Sequence, residues 1–175
     1  AFSLRHTKAK LGTIGFAWDL HNGIAIDILH KEATLGFPEW KRKHEPILEV
    51  LRWFFETYQG KMIWHNCTYD IKVLIYVLYM KNLTDTEGLL NGLEVMTKNF
   101  EDTKVIAYLA TNTCSENPLG LKYLAHEFAG NYAQDEINDI TQIPSPQLLK
   151  YNLIDCLCTR YVYDKYYPIM VSDQQ

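Results

Sequence analysis

Two apolar runs, Leu11 to Trp18 (LGTIGFAW) and Ile24 to Leu29 (IAIDIL), flank a polar turn at Asp19 to Gly23. No other stretch constrains the fold as much. Apolar segments of strand length that close on a short turn read as an antiparallel hairpin, with the first strand beginning near Lys10. Downstream, Gly36 to His44 carries Pro38 and the basic cluster Lys41-Arg42-Lys43-His44, and reads as an exposed loop; the cluster is either solvated or a phosphate contact. Helical spacing of Ile47, Leu51, Phe54 and Tyr58, with Gly60 as the stop, predicts an amphipathic helix over 45–58. Lys61 to His65 reads as a short strand, Asn66 to Thr68 as a turn, and Tyr69 to Met80 as a helix. The pattern is weakest over 81–99, where Gly88 and Gly92 interrupt it and Glu94 to Met96 suggests a short strand. A helix is expected to start at Asp102-Thr103, another lies between Asn117-Pro118 and Gly130, and the last runs from a Ser145 N-cap to a stop at Pro168. Strands interleaved with helices make this an α/β chain.

At 175 residues, 47% of them apolar, the chain fits one domain spanning 1–175. No apolar run reaches transmembrane length, and the order Ala1-Phe2-Ser3-Leu4-Arg5-His6 lacks the basic-then-apolar pattern of a signal peptide. A soluble, cytoplasmic protein without a membrane partner is expected. Cys67, Cys114, Cys156 and Cys158 form no CxxC pair, so reduced thiols and no zinc are expected. The net charge of −4 argues against a broad basic surface that grips a duplex. It leaves open single-strand binding through aromatic stacking and bound cations, although most of the aromatics have an ordinary place in a core.

Chemistry concentrates in two short segments. In the last helix, Leu148, Tyr151, Asp155, Cys158 and Val162 fall on one face at three- and four-residue spacing, and Asp155 is its only charged member. A buried carboxylate needs a partner; a metal ion, a hydrogen bond from a neighbouring helix or a base such as Arg160 would each serve. In Asn66-Cys67-Thr68-Tyr69-Asp70, the aspartate sits where a strand hands over to a helix, a position where sites gather in α/β sheets. A turn-shaping Asn66 and an Asp70 that favours the positive end of its helix are the structural alternatives.

Taken in order, Asn-x-x-x-Asp (NCTYD) and Tyr-x-x-x-Asp (YNLID) resemble the second and third motifs of the proofreading 3′→5′ exonuclease domain of family A DNA polymerases, of the four-carboxylate, tyrosine-containing type. The likeness extends to LGTIGFAW, to Glu101-Asp102-Thr103 before a helix, and to Leu119-Gly120-Leu121-Lys122-Tyr123-Leu124-Ala125 ahead of the third motif. Lys150 stands where a histidine-type relative would carry its histidine, so the tyrosine subtype is the closer match. The resemblance implies a ribonuclease H-like mixed sheet flanked by helices. It also implies two-metal hydrolysis of a 3′-terminal phosphodiester with Mg²⁺ or Mn²⁺ ions about 3.5–4 Å apart, releasing nucleoside monophosphates. By this likeness Asp70 and Asp155 would hold metal. Tyr151, whose phenol type has an ordinary pKa of about 10, would position the attacking water rather than act as a base. Asn66, Tyr69 and Leu4 would contact the 3′ end of a single DNA strand.

The family's first motif, an Asp-x-Glu on the opening strand, does not occur in these residues, and Ala1 to Leu4 match the stretch that follows it. The expectation is that the motif and its central strand lie upstream, and that a polymerase domain shares the full-length polypeptide. Two aspartates alone leave a divalent ion with few hard oxygen ligands, which predicts weak metal binding and little activity for the sequence as it stands. Two other readings share the motifs: an RNA exonuclease of the ribonuclease D kind, and a catalytically dead strand-binding or scaffold module.

Overall fold

A computed structural model describes residues 10–28, 36–111, 118–132 and 143–172. Its described part is mixed α/β and mostly helical. The order is β1 (Thr13–Ala17), β2 (Gly23–Asp27), α1 (Phe37–Thr57), β3 (Met62–Trp64), α2 (Thr68–Leu78), α3 (Thr86–Thr97), β4 (Phe100–Asp102), α4 (Thr103–Thr111), α5 (Leu121–Leu124), α6 (His126–Ala129) and α7 (Ser145–Ser172). β1 and β2 pair antiparallel, Thr13 opposite Asp27 and Ala17 opposite Gly23, as the hairpin pattern predicts. The Asp19 carboxylate closes the turn by accepting the backbone N–H groups of His21 and Asn22, each at 2.7 Å. β3 and β4 pair in parallel, Met62 opposite Phe100 and Trp64 opposite Asp102. Among the described residues the strands thus form two separate two-stranded sheets, not the single ribonuclease H-like mixed sheet that was expected. The patterns of β1, β2 and β3 were legible and that of β4 was not, and no described strand hydrogen-bonds one pair to the other. The long helix α7 packs on β1, β2 and β3 instead.

The main core lies where α1 and α2 meet. Trp40, Leu48, Leu51 and Phe55 bring the inner face of α1 against α2, whose residues from Val73 to Leu78 are all buried. A helix buried all round its circumference must be covered on every side, which explains why α2 reads as an unbroken apolar run. Residues 37–44, expected to be an exposed loop, are the first turns of α1. Pro38 fits there because the first-turn N–H groups have no helical partner, and Trp40 and His44 continue the buried stripe toward Leu48. Arg42 and Lys43 of the basic cluster are exposed, while Lys41 is turned to the protein. Its ammonium donates to the carbonyl of Met80 at 2.8 Å, Arg52 donates to the carbonyl of Leu78 at 3.1 Å, and both cations meet the negative end of α2.

Two further expectations are corrected. Residues 94–96 belong to helix α3, which Asp85 caps by accepting the Gly88 N–H at 2.9 Å. Its glycines had argued against a helix; yet a Cβ on Gly92 would stand 2.8 Å from Ile75 Cγ2, so the missing side chain lets α3 approach α2 closely. Nor does Pro168 stop the last helix, which continues through it to Ser172. Cation–π contacts from Lys61 to the Tyr163 and Tyr167 rings, 5.6 and 4.9 Å to the centroids, pin this last stretch to the β3 end.

The contact between α7 and the hairpin fixes the orientation of the whole helix. Asn152 Nδ2 donates to Thr13 Oγ1 at 3.0 Å, and a Cβ on Gly15 would lie 2.6 Å from Cys156 Sγ. Asn152 and Cys156 therefore face β1, and Tyr151 and Asp155, one residue earlier in each case, are turned to an adjoining face. Gly15→Ala should destabilise the protein by about 1–3 kcal/mol through overpacking. A double-mutant cycle with Cys156→Ala, followed by thermal melting, should recover most of that loss; additive effects would show that the close approach carries no energy.

Candidate functional site

The site is assembled around the C-terminal ends of the parallel strands β3 and β4. Asp102, the last residue of β4, accepts three backbone N–H groups: from Asn66 at 2.9 Å, Cys67 at 2.8 Å and Lys104 at 2.8 Å. Desolvation works to raise the Asp102 carboxyl, but those N–H donors outweigh it, and the group titrates below the ordinary aspartate range. Its neighbour Thr103 is fully buried, and its hydroxyl donates to the carbonyl of Trp64 at 3.0 Å and meets His65 Nδ1 at 2.9 Å. The sequence Glu101-Asp102-Thr103 thus acts as a clasp, because Glu101 also forms an ion pair with Lys61 just before β3. Under this clasp Asn66 takes a left-handed backbone conformation, φ 58°, and the chain turns directly into α2.

That turn delivers Asp70 in the first turn of α2. Asp70 keeps a solvent-accessible surface, yet the protein around it desolvates its carboxyl and, with the Asp102 charge nearby, pushes it above the ordinary range. Asp155 of α7 is half-buried and also shifted upward. Desolvation is the main cause, the Tyr132 hydrogen bond and the Lys122 charge oppose it, and the Asp70 charge adds to it. Of the two predicted metal ligands, on separate helices, Asp155 therefore feels the charge of Asp70. Cys156 reports the same convergence, since burial first, and then the Asp155 and Asp70 charges, push its thiol up to about 12. Cys67 and Cys158, each raised to about 11 mainly by burial, are likewise neutral thiols.

Three residues that short motifs do not reveal complete the arrangement. Tyr132 donates its phenol O–H to Asp155 Oδ1 at 2.6 Å, and its ring lies 5.8 Å from that of Tyr151. The Lys122 ammonium stands 5.4 Å from the centroid of the Tyr151 ring. Asp102, seen in the sequence as a helix start within a segment resembling the exonuclease family, is the clasp that shapes the Asn66 turn. Lys122 was at least within a segment resembling the exonuclease family, whereas Tyr132 belongs to no pattern and is placed by tertiary packing alone. Of the residues expected at the strand, Asn66 is exposed at the rim, and Tyr69 is half-buried against the main core with its phenol raised by desolvation and then by Asp70. Leu4 lies outside the described residues.

A divalent ion would find two hard carboxylate donors in Asp70 and Asp155. Among the described residues no group of three or more His, Cys, Asp or Glu side chains gathers to hold a metal. The two aspartates fit part of a metal shell, because a bound cation would offset the desolvation that raises both carboxyls and the Asp70 charge that adds to the shift of Asp155. No described helix is long and apolar enough to cross a membrane. No family model, no curated protein and no solved structure matches the chain.

Proposed function

We propose that this chain is the core of a 3′→5′ exonuclease domain of the tyrosine-containing, ribonuclease H-like kind, acting on the 3′ end of a single DNA strand as a polymerase proofreader. The observation that carries the reading is that the charge of Asp70, at the start of α2, acts on Asp155 of α7, whose hydrogen-bond partner Tyr132 lies beside the ring of Tyr151.

Asp70 and Asp155 would hold Mg²⁺ or Mn²⁺ together with carboxylates supplied from outside the described residues. Bound there, the ions would supply an activated water and charge neutralisation at the leaving oxygen. The protein's own part is positional. Tyr132 holds one oxygen of Asp155 in place by its hydrogen bond. Tyr151, braced between the Tyr132 ring and the Lys122 ammonium, presents its hydroxyl to orient a water. The amide of Asn66, projected by the left-handed turn, contacts the strand beside the scissile bond. The single mixed sheet of a ribonuclease H-like fold would require a further strand to join the two described pairs.

Incubating the full polypeptide with a 5′-labelled single strand and Mn²⁺ should give a ladder of one-nucleotide steps. Tyr151→Phe should slow that ladder by roughly 100-fold, the lower range for a group that positions a proton-transfer partner. A chain that binds the strand but yields no ladder would be the dead-module alternative. A clear preference for an RNA strand would favour the ribonuclease D kind.

A further inference from the structure

Lys104 lies beside Asn66 and Lys122 beside Tyr151, two residues of the candidate site. Lys104 is tied to the rim residue Asn66, its ammonium 3.5 Å from Asn66 Oδ1. Lys122 is held over the Tyr151 ring. Between them, His65 hydrogen-bonds the backbone of Leu119, three residues before Lys122, while its Nδ1 is bound to Thr103, next to Lys104. Both lysines are thus anchored to the clasp at the strand ends. Among the described residues neither ammonium is held in an ion pair.

A net charge of −4 and two aspartates at the centre of the site would repel a polyanion, so an approaching strand needs local cations. An ammonium has three donors, and a cation–π contact to a ring uses its charge without consuming them. We propose that Lys104 and Lys122 form a two-point phosphate grip that lays a single nucleic-acid strand across the site, its 3′ end lying between Asn66 and Tyr151. This rests on the exonuclease reading for the identity of the ligand. The grip itself requires only a phosphodiester chain.

The test measures binding of a fluorescent single-stranded oligonucleotide to the full polypeptide in EDTA, over a series of salt concentrations. For single strands each neutralised phosphate contributes about 0.7 to the slope of log K against log salt. Lys104→Gln and Lys122→Gln should each flatten the slope by about 0.7 and the double variant by about 1.4. Lys81→Gln, on an exposed turn away from the site, should leave it unchanged. Thermal melting of each variant separates lost binding from lost folding. Wild-type binding with a normal slope that neither lysine variant changes overturns the grip while leaving the exonuclease reading standing. If the wild-type protein shows no salt-dependent strand binding in EDTA, the grip is overturned, and the ladder in Mn²⁺ decides the exonuclease reading separately.

Discussion

Asp155→Asn should remove the nucleotide ladder almost completely while leaving the protein folded. The neutral amide is nearly isosteric with the carboxylate and can still accept the Tyr132 hydroxyl, which in the wild type donates to Asp155 Oδ1 at 2.6 Å. It cannot supply the negative charge that a divalent cation needs. A contribution of several kcal/mol from metal-assisted charge stabilisation corresponds to a fall of at least about 100- to 1,000-fold in rate. Asp155→Ala should abolish cleavage too, but it also strands the Tyr132 hydroxyl in a partly buried position and so costs about 1–3 kcal/mol of stability. Tyr132→Phe gives the complementary result: it leaves Asp155 charged but free to rotate. A drop of about 10- to 100-fold in Mn²⁺ affinity, read by calorimetry, is expected from losing a partner that orients a ligand. Cleavage by Asp155→Asn at the wild-type rate would remove Asp155 from the chemistry and with it the exonuclease assignment.

Asp102→Ala should bring the largest loss of stability. It releases the N–H groups of Asn66, Cys67 and Lys104 from a charged acceptor, and such bonds are worth about 1.5–3 kcal/mol each when fully made. Asp102 is only half-buried, so water recovers part of the loss, and a net cost of about 3 kcal/mol is expected. At about 2–4 °C per kcal/mol for a chain of this size, melting should fall by roughly 6–12 °C. The pH dependence follows from the direction of the shift. Because the folded protein lowers the Asp102 pKa, its stabilisation is fully present above the unfolded value, near about 3.9, and is lost as pH falls through the lower folded value. Asp70 and Asp155 act in the opposite sense. Their raised carboxyls cost stability once ionised, so the protein should gain a little as pH falls from neutrality through their folded values toward about 4. Melting temperature against pH should therefore rise modestly and then drop, and Asp102→Ala should lose the steep acid limb. An unaltered acid limb in that variant would mean that the clasp does not control acid unfolding.

How much of this was legible depended on the range of the interaction. The hairpin, the β3-to-α2 turn and the start of α4 could be read because the residues that cause them are neighbours in sequence. The beginning of α1 was misread because Pro38 and the basic cluster signal a loop locally. Their actual roles, a first-turn proline and a lysine capping a carbonyl 39 residues away, depend on a partner helix. In α3 the glycine that weakens a helix in isolation is what permits packing on Ile75. The hairpin pairing of β1 with β2 was read from its turn, whereas β4 and its parallel pairing with β3 were not, since periodicity shows that a face is buried without naming the strand alongside. The candidate site divides in the same way. Asn66, Asp70, Tyr151 and Asp155 lie in motifs with fixed local spacing, whereas Tyr132, Lys122 and Asp102 reach the site only after distant segments have packed.

The left-handed turn at Asn66 has a consequence for which substitutions this position can bear. At φ 58° a β-branched side chain collides with its own backbone, whereas asparagine, aspartate and glycine adopt that conformation readily. If position 66 were randomised and survivors sorted only by folding, glycine, aspartate and asparagine should persist together and valine and isoleucine should vanish. Sorting the same library by cleavage should then retain asparagine alone. The difference between the two surviving sets would separate what the backbone demands of this residue from what its amide does for the strand.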